Sequence, residues 1–380
     1  MDRDRYLERI KLQFQVHNVC AILGPRQCGK STIAKMYAKE FKGKLHCFDL
    51  ENPDDLEALQ NPMRILERLE GLVVIDEIQL VPDLFKILRV LSDRKQASYL
   101  VLGSASRDLI RQSSETLAGR IGYIELSPFH LAEGMKFSEL LVRGGYPLSY
   151  LAISDEASML WRQSYIQTFL ERDIPALGFN IPSQKLRRFW MMMTNVHAGQ
   201  LNLHDIGNSL GVSGHTVRSY LDILEGTFMM RVLNPWHENI SKRQVKTPKV
   251  YFRDSGILLA LLRIENGDQL YRHPMLGSIW EGFALEQTLQ ALEVRGEETF
   301  YWRTSHGAEL DLFVNYQAKR IGFEFKFSDA PKRSKSMIIA CEDLKLDQLY
   351  VIYPGQRTYQ IDDKITVLGI SDMAEQLKHR

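Results

Sequence analysis

The hydrophobic pattern of the first third of the chain alternates between two kinds of segment. Short apolar runs are typical of strands that a parallel sheet buries on both faces, and apolar residues recurring every three or four positions are typical of helices. The strand-like runs are residues 19–23, 45–50, 71–75, 98–103 and 121–126. Their alternation with helix-like stretches predicts an α/β domain with a parallel, doubly wound sheet at residues 1–130.

From residue 131 to residue 240 the pattern is mostly helical. Its sharpest part, residues 203–224, has a short helix, a Gly-Val-Ser turn and a second helix with one apolar face. This order predicts a helix-turn-helix, and the apolar run at residues 228–233 predicts the start of a wing. We therefore expect a helical lid with a winged helix-turn-helix. Two interpretations stay open: this unit binds DNA, or it packs within the protein or between copies.

The composition is that of an ordinary globular protein. The 380 residues are 44% hydrophobic and 25% charged, with a net charge of +1. These values exclude a disordered chain, and no apolar run approaches the about 18 residues that a membrane span requires. The four cysteines lack the spacing of a zinc site, so we expect a reduced, cytoplasmic protein with no membrane partner.

DNA is a candidate partner on local features alone, because the net charge gives no global indication of nucleic-acid binding. The open face of the second predicted helix is formed by His215, Thr216, Arg218 and Ser219. The basic residues of the linker that follows are Lys242, Arg243, Lys246 and Lys249. Linkers of this kind are usually solvated, and a single arginine on the helix face is a small electrostatic footprint.

A glycine-rich motif follows the first predicted strand. Residues 24–31 fit the phosphate-loop pattern G-x-x-x-x-G-K-[ST] at every fixed position and lead into a helix-like stretch. The glycines let backbone N–H groups turn toward phosphate oxygens, and the helix adds its positive N-terminal end. The predicted nucleotide contacts are Gly24, Pro25, Arg26, Gln27, Cys28, Gly29, Lys30, Ser31 and Thr32. We expect ATP and Mg²⁺ as ligands, with Lys30 on the β- and γ-phosphates and Ser31 on the metal.

The third predicted strand ends in two acids, Asp76 and Glu77. Ligands of open α/β sheets bind at the carboxyl ends of the strands. We therefore predict that Asp76 supports Mg²⁺ and that Glu77 polarises the attacking water. Ser104 ends the next strand, at the place of either a γ-phosphate sensor or a helix cap.

Arginines further along the chain are candidates for neutralising the charge that develops during phosphoryl transfer. Arg120 is the first choice, within its own subunit or in a neighbouring one, and Arg107 and Arg111 are its competitors. An exposed structural arginine is the alternative for each.

The last third of the chain contains a second group of candidate residues. Residues 307–314 and 320–327 alternate polar and apolar positions, which predicts two strands. If these strands pair, Asp311, Glu324 and Lys326 converge, with Asp311 and Glu324 as metal ligands and Lys326 as a catalytic residue. Two carboxylates beside a lysine can hold a divalent cation and position a water for phosphodiester hydrolysis. The alternative is a solvent-facing hairpin with cross-strand charge pairs.

A helix-like stretch at residues 279–294 offers a further carboxylate for this group. Glu286 is the first choice and Glu281 its competitor.

Several motifs resemble those of the predicted AAA-type ATPases of bacteria and archaea. In the first part of the chain these are Gly-Pro-Arg-Gln-Cys-Gly-Lys-Ser at 24–31, Val-Val-Ile-Asp-Glu-Ile-Gln at 73–79, Leu-Gly-Ser-Ala-Ser-Arg at 102–107, Leu-Ala-Gly-Arg at 117–120 and Arg-Gly-Gly-Tyr-Pro at 143–147. The later ones are Tyr-Phe-Arg-Asp-Ser-Gly at 251–256, Gly-x-x-Trp-Glu-x-Phe at 277–283, and Tyr-Trp-Arg-Thr, Glu-Leu-Asp and Glu-Phe-Lys within 301–326. The C-terminal region of that family is similar to the PD-(D/E)XK nuclease fold. On that resemblance Asp311 matches the first acidic position, and Glu324 and Lys326 match the E-x-K pair.

Residues and resemblance together predict three domains: an AAA-type ATPase at 1–130, a helical lid with the winged helix-turn-helix at 131–240, and an α/β nuclease-like domain at 241–380. In this hypothesis ATP binding and hydrolysis control a DNA-binding, nuclease-like module. The alternative is a nucleotide-regulated DNA-binding or protein-interaction switch whose nuclease fold is catalytically silent. A homo-oligomer is a candidate assembly, since AAA-type enzymes often form rings.

Overall fold

A computed structural model describes residues 3–105, 119–240, 242–294 and 296–378. The chain divides into two compact units, each assembled from separated segments. Unit 1 comprises Met1–Pro128, Thr168–Ile181 and Asp222–Met229, and unit 2 comprises Phe129–Gln167, Pro182–Leu221 and Met230–Arg380. The division into three consecutive domains stays a prediction, and the two units do not follow its boundaries.

The described part of unit 1 contains a five-stranded parallel sheet. Its strands are β1 (Val19–Leu23), β2 (Leu45–Asp49), β3 (Gly71–Asp76), β4 (Ala97–Gly103) and β5 (Ile121–Glu125). They lie in the order β2-β3-β4-β1-β5, with every neighbouring pair parallel. The predicted parallel sheet is confirmed, and the carboxyl ends of β1, β3 and β4 meet at one edge.

Helices cover both faces of this sheet. They are α1 (Asp4–Val16), α2 (Lys30–Glu40), α3 (Pro53–Ala58), α4 (Pro62–Leu66) and α5 (Leu84–Arg94), with a 3₁₀ turn at Ile78–Leu80. Alternate residues of β1 point to opposite faces, as the period of a strand requires. Cys20 and Ile22 pack with residues of α1 and α2, whereas Ala21 packs with residues of α5. The sheet is therefore buried on both sides.

Two segments from the middle of the chain complete unit 1. The first contains a π-helical turn, Phe169–Asp173, and a helical turn, Ile174–Ala176. Leu177 of this segment and Phe228 of the second one pack in the same apolar cluster as β1, β3 and α5. Burying these side chains explains why unit 1 is not a consecutive stretch of sequence.

The amino-terminal part of unit 2 is helical and carries a small sheet. Its helices are α6 (Phe137–Arg143), α7 (Pro147–Tyr150), α8 (Asp155–Thr168), α9 (Ser183–Thr194), α10 (Leu203–Leu210) and α11 (Gly214–Gly226), the last continuing into unit 1, and a 3₁₀ turn lies at Leu131–Glu133. The strands β6 (Gly199–Gln200), β7 (Met230–Leu233) and β8 (Lys249–Phe252) pair antiparallel in the order β6-β8-β7. The chain therefore runs through α9, β6, α10, α11, β7 and β8 in turn.

Two motifs that are distant in sequence meet in unit 2. Asp254 accepts hydrogen bonds from the backbone N–H groups of Ile257 (2.9 Å) and Gly145 (2.8 Å). Gly144 has a φ of +75°, and a Cβ there would lie 2.2 Å from a carboxylate oxygen of Asp254. The position therefore requires glycine. This contact joins the Arg-Gly-Gly-Tyr-Pro segment to the start of the helix Ser255–Leu262.

The carboxyl-terminal part of unit 2 contains a larger, mixed sheet, six-stranded in its described residues. Its strands are β9 (Thr299–Arg303), β10 (Glu309–Tyr316), β11 (Lys319–Phe325), β12 (Gln348–Tyr353), β13 (Tyr359–Asp362) and β14 (Ile365–Gly369), in the order β13-β14-β12-β11-β10-β9. The helices are α12 (Ser255–Leu262), α13 (Gly267–Tyr271), α14 (Leu276–Leu292), α15 (Lys335–Asp343) and α16 (Ile370–Lys378), with a 3₁₀ turn at Gly296–Glu298. Strands β10 and β11 are antiparallel neighbours, with Leu312 opposite Phe323. The two strands that carry Asp311 and Glu324 therefore pair as a hairpin.

Across the part of the chain that the structure describes, no helix combines the length and the apolar character that crossing a membrane requires.

Candidate functional sites

The phosphate loop connects β1 to α2 in unit 1. Gln27 and Gly29 have φ values of 62° and 103°, in the left-handed region that turns the loop. At Gly24 a Cβ would lie 2.1 Å from the carbonyl oxygen of Leu126, so the close approach of these two backbones requires glycine. The predicted glycine-rich turn between β1 and α2 is therefore present, and its contacts with a nucleotide stay a prediction.

Lys30 begins α2, and its side chain is buried. Its ammonium group donates hydrogen bonds to the carbonyl oxygens of Gly24 (3.1 Å) and Pro25 (3.0 Å) and to the hydroxyl of Ser104 (3.0 Å). These three partners are neutral. Ser104 is thus joined to the loop, as a γ-phosphate sensor would be. The alternative interpretation, a helix cap, concerns residues that follow Ala105 and lie outside the described part of the chain.

Asp76 ends β3 beside the start of α2. Ser31 donates a hydrogen bond from Oγ to Oδ2 of Asp76 at 2.5 Å. Burial raises the pKa of Asp76, and the hydrogen bond from Ser31 acts in the opposite direction. A hydroxyl and a carboxylate are oxygen ligands of the type that Mg²⁺ prefers. The adjacent oxygens of Ser31 and Asp76 therefore fit the metal that a phosphate loop implies.

Glu77 follows in a left-handed conformation with φ of 55°. Its carboxylate accepts hydrogen bonds from the hydroxyl of Ser104 (3.0 Å) and from the side-chain amide of Gln79. Gln79 in turn accepts a hydrogen bond from the backbone N–H of Ser104 at 3.1 Å. Gln79 was missed as a site residue, although it lies two positions after Glu77 in the same motif.

A pocket of about 260 Å³ lies beside Glu77 and Ser104 in unit 1. Arg26 of the phosphate loop lines it and donates to Asp173 (Nη1–Oδ1, 2.6 Å) and to Glu51. The other lining residues are Leu50, Gln79, Leu80, Phe169, Arg172, Ala176, Leu177 and Thr227. No motif indicated the contribution of residues 169–177, because they lie more than a hundred positions from the loop and meet it only in the fold.

Arg120 lies away from this site. It precedes β5, whose first residue, Ile121, is opposite Val19 at the start of β1, whereas the phosphate loop follows the end of β1. Its guanidinium donates from Nε to Asp93 at 2.7 Å. The structure therefore does not support Arg120 as a residue of the site in its own subunit, and a role in a neighbouring subunit stays a prediction. Arg107 and Arg111 lie outside the described residues.

The C-terminal candidates converge in unit 2. Asp311 accepts a hydrogen bond from the backbone N–H of Phe325 at 3.0 Å, and its Oδ2 lies 3.9 Å from Nζ of Lys326. Glu324 lies 2.7 Å from the same ammonium group. Burial, reinforced by the charge of Asp311, raises the pKa of Glu324 to about 8, although Lys326 acts in the opposite direction.

The carboxylate of α14 that joins this group is Glu281. The prediction that Glu286 would supply it was wrong. Glu286 pairs with Arg231 (Nη2–Oε2, 2.9 Å), whereas Glu281 faces β8 and β10. Five residues correspond to about 140° around a helix, so the two side chains leave α14 in different directions. Burial and the nearby charge of Asp311 raise the pKa of Glu281 to about 7.

Lys249 is buried among these carboxylates, although it was expected in a solvated linker. Its residue surface is 3% exposed, and its ammonium group lies 2.5 Å from Glu309, 2.9 Å from Glu281 and 3.8 Å from Asp311. The apolar run Val250-Tyr251-Phe252 that follows it was the signal in the sequence that this position begins a strand. We call Lys249, Glu281, Glu309, Asp311, Glu324 and Lys326 the carboxylate–lysine cluster.

Its carboxylates do not fit a divalent metal while Lys249 is in place. Among the residues that the structure describes, no group of three His, Cys, Asp or Glu side chains has the arrangement of a metal site. Glu281, Glu309 and Asp311 face an ammonium group instead. The predicted metal roles of Asp311 and Glu324 therefore find no support in the geometry.

Three family models match successive parts of the chain. An AAA domain matches residues 16–135, and two domains of unknown function, DUF8612 and DUF4143, match residues 134–268 and 276–373. The match and the parallel sheet with its phosphate loop make the first part an AAA-type P-loop ATPase domain. The mixed sheet of the last part corresponds to a family without an assigned function.

Solved and curated proteins resemble the chain over most of its length. The structure of a Walker-type ATPase of Pyrococcus abyssi covers 69% of this chain and 95% of its own, with 13% identity and a TM-score of 0.44. The uncharacterized protein MJ1544 of Methanocaldococcus jannaschii is 20% identical over 95% of this chain and 88% of its own length. The uncharacterized protein Rv2008c of Mycobacterium tuberculosis is 43% identical over 365 residues, which are 94% of this chain and 82% of the relative. At this identity and coverage, the chain belongs to the same family as Rv2008c.

Proposed function

We propose that the chain binds and hydrolyses ATP at the phosphate loop of unit 1. The observation that carries this proposal is the hydrogen-bonded network in which the Ser104 hydroxyl accepts from Lys30 and donates to Glu77. It joins the lysine of the phosphate loop to the carboxylate that would activate water. Such a connection is expected of a phosphoryl-transfer site and has no use in an accidental glycine turn.

Each residue has a distinct task in this proposal. Lys30 and the backbone N–H groups of residues 26–32 bind the β- and γ-phosphates, which replace the neutral partners of the ammonium group. Ser31 and Asp76 hold Mg²⁺, which when bound neutralises charge on the phosphate oxygens. Glu77 orients the attacking water and accepts its proton, and Gln79 and Ser104 fix the direction of the carboxylate.

Nucleotide binding tests the first half of the proposal. Isothermal calorimetry on the full chain should show binding of ATP that depends on Mg²⁺, and Lys30→Ala should abolish it. Lys35→Ala is the matched control, because Lys35 is an exposed lysine on the same helix. Equal ATP affinity of the Lys30→Ala variant and the natural sequence would refute the site.

Arg26 connects the phosphate loop to the segment Thr168–Ile181 of unit 1. It pairs with Asp173 of that segment, which follows α8 directly in the chain. Because phosphate binding changes the charge beside Arg26, the nucleotide state can alter the Arg26–Asp173 pair. In our proposal this is how ATP binding and hydrolysis control the rest of the chain.

A second candidate function is a DNA-binding, nuclease-like output module in unit 2. Two observations favour it. Asp311 of β10, Glu324 of β11 and Lys326, which follows β11, lie close together. The order of elements from α9 to β8 is compatible with the winged helix-turn-helix that the sequence predicts. Incubation with DNA, ATP and Mg²⁺ or Mn²⁺ beside an Asp311→Ala control tests cleavage. Identical products from both proteins would exclude a nuclease. Salt-dependent DNA binding without cleavage would support a silent nuclease fold instead.

A further inference from the structure

Lys249 is held rigidly by the strand that carries it. Strand β8 is the middle strand of the small sheet, where Lys249 lies opposite Gln200 of β6 and Leu233 of β7. A strand paired on both sides cannot withdraw its backbone without breaking two ladders. The position of the ammonium group is therefore set by the fold, and its long side chain has little freedom where it is buried.

The carboxylates around Lys249 are also fixed. Glu281 accepts a hydrogen bond from the hydroxyl of Tyr251 at 2.8 Å, and Glu309 lies 3.2 Å from Nη1 of Arg303. Asp311 is held by the backbone N–H of Phe325 at 3.0 Å. Each carboxylate thus reaches the ammonium group from a side chain that has a second partner. The carboxylates are thus arranged as they would be around a bound cation, and the cation here is the ammonium group of Lys249.

Charge balance opposes the entry of a second cation. The ammonium of Lys249 already neutralises part of the charge of Glu281, Glu309 and Asp311, and Lys326 lies beside Asp311 and Glu324. A divalent ion placed among the same oxygens would stand next to two ammonium groups. In a buried site with low effective dielectric constant, repulsion at such distances is strong.

We propose that Lys249 is the resident cation of the carboxylate–lysine cluster and excludes divalent metal ions from it. The ammonium group takes the place that a metal would hold if this were a metal-dependent nuclease site. The inference rests on the second candidate function in one respect only: that function indicates divalent ions as the metals to consider. The contacts themselves do not depend on whether the protein cleaves DNA.

Manganese retention tests the proposal without an activity assay. The nucleotide-free full chain carries Asp76→Asn, which removes the metal ligand of unit 1, and free Mn²⁺ is measured by its electron paramagnetic resonance signal. While Lys249 is present, the Asp76→Asn protein and the Asp76→Asn/Asp311→Asn protein should retain the same amount of Mn²⁺, because the cluster binds none in either. Lys249→Met in this background should retain about one Mn²⁺ per chain, and adding Asp311→Asn should abolish the gain. Lys242→Met is the matched control, because Lys242 is a 43% exposed lysine of the same linker.

Two results would overturn the inference. One is a Mn²⁺ ion retained while Lys249 is present and lost on Asp311→Asn; the other is a folded Lys249→Met variant that gains no Mn²⁺. If circular dichroism shows that Lys249→Met does not fold, the titration with Lys249 intact decides alone. The DNA-cleavage experiment has a separate readout, so a failure of the nuclease hypothesis and a failure of this inference are distinguishable.

Discussion

Both candidate sites of the chain contain a buried lysine, and the two lysines differ in their partners. In unit 1, Lys30 donates to two loop carbonyls and a hydroxyl, and Asp76 and Glu77 accept from hydroxyl and amide groups. In unit 2, Lys249 contacts carboxylates directly. The charge of Lys30 therefore has neutral hydrogen-bond partners, whereas the charge of Lys249 is paired with opposite charges.

This difference decides which site can accept an ionic ligand. A hydrogen bond between a charged and a neutral group contributes about 1.5–3 kcal/mol. Phosphate oxygens can replace the neutral partners of Lys30, because bonds between two charged groups are stronger still. Breaking a buried ion pair costs about 3–5 kcal/mol. A match to a sequence motif therefore does not show that a site can bind its ligand. Whether an ionic ligand can bind depends on the charges that already surround each lysine.

The largest expected effect is on turnover in unit 1. Glu77→Gln should lower the rate of ATP hydrolysis by about 10²–10⁴-fold, because the amide cannot accept the proton of the attacking water. ATP affinity should be retained, since no phosphate contact is removed. A phosphate-release assay measures the rate, and Glu70→Gln, at an exposed acid paired with Lys44, is the control. Unchanged turnover in the Glu77→Gln variant would remove Glu77 from its role.

The second effect compares two lysines of the same cluster. Lys249→Met should lower the free energy of unfolding of unit 2 by about 3–5 kcal/mol, since it leaves buried carboxylates without their cation. Lys326→Met should cost about 1 kcal/mol or less, because the Lys326 side chain is 43% exposed and its ion pairs are screened by water.

Urea denaturation followed by tryptophan fluorescence measures this comparison in unit 2 alone. The five tryptophans of the chain, Trp161, Trp190, Trp236, Trp280 and Trp302, all belong to unit 2. Equal losses for the two variants would contradict the assignment of Lys249 as the central cation.

The third effect is a dependence of unit 2 on pH. Folding raises the pKa of Glu281 to about 7 and that of Glu324 to about 8, from the usual 4.5, mainly through burial. Between about pH 5 and 8 the folded state therefore holds protons that the unfolded state has released, and stability falls as pH rises. We expect the free energy of unfolding of unit 2 to fall across this window, as measured by the same fluorescence assay. Glu324→Gln should flatten the slope, and an unchanged slope would count against Glu324 as its source.

The smallest effect is expected at Arg120. Its guanidinium is exposed and pairs with Asp93 at the edge of the sheet that is opposite the phosphate loop. Arg120→Met should therefore leave MgATP affinity unchanged in dilute protein, as measured by calorimetry. A clear loss of affinity under those conditions would contradict the placement of Arg120 outside its own subunit's site.

The sequence was sufficient where the chemistry is local. Residues 24–31 are consecutive, and Asp76 is located by the strand that precedes it, so the pattern predicts both. It was insufficient where contacts depend on tertiary structure. The helical period shows that Glu281 and Glu286 occupy different faces of α14, but not which face meets β8 and β10. Likewise, nothing near Lys249 in the sequence indicates that carboxylates more than 30 positions away will surround it.

The discontinuity of unit 1 has a consequence for how the protein is made. Leu177 and Phe228 belong to its apolar core, so the nucleotide-binding unit remains incomplete on the ribosome until synthesis has passed residue 228. By then, the helices from α6 to α11 have also been synthesised. Unit 1 can therefore complete its folding only after the middle of the chain has been synthesised. A fragment ending near residue 130 would leave apolar side chains exposed to solvent and would be prone to aggregate.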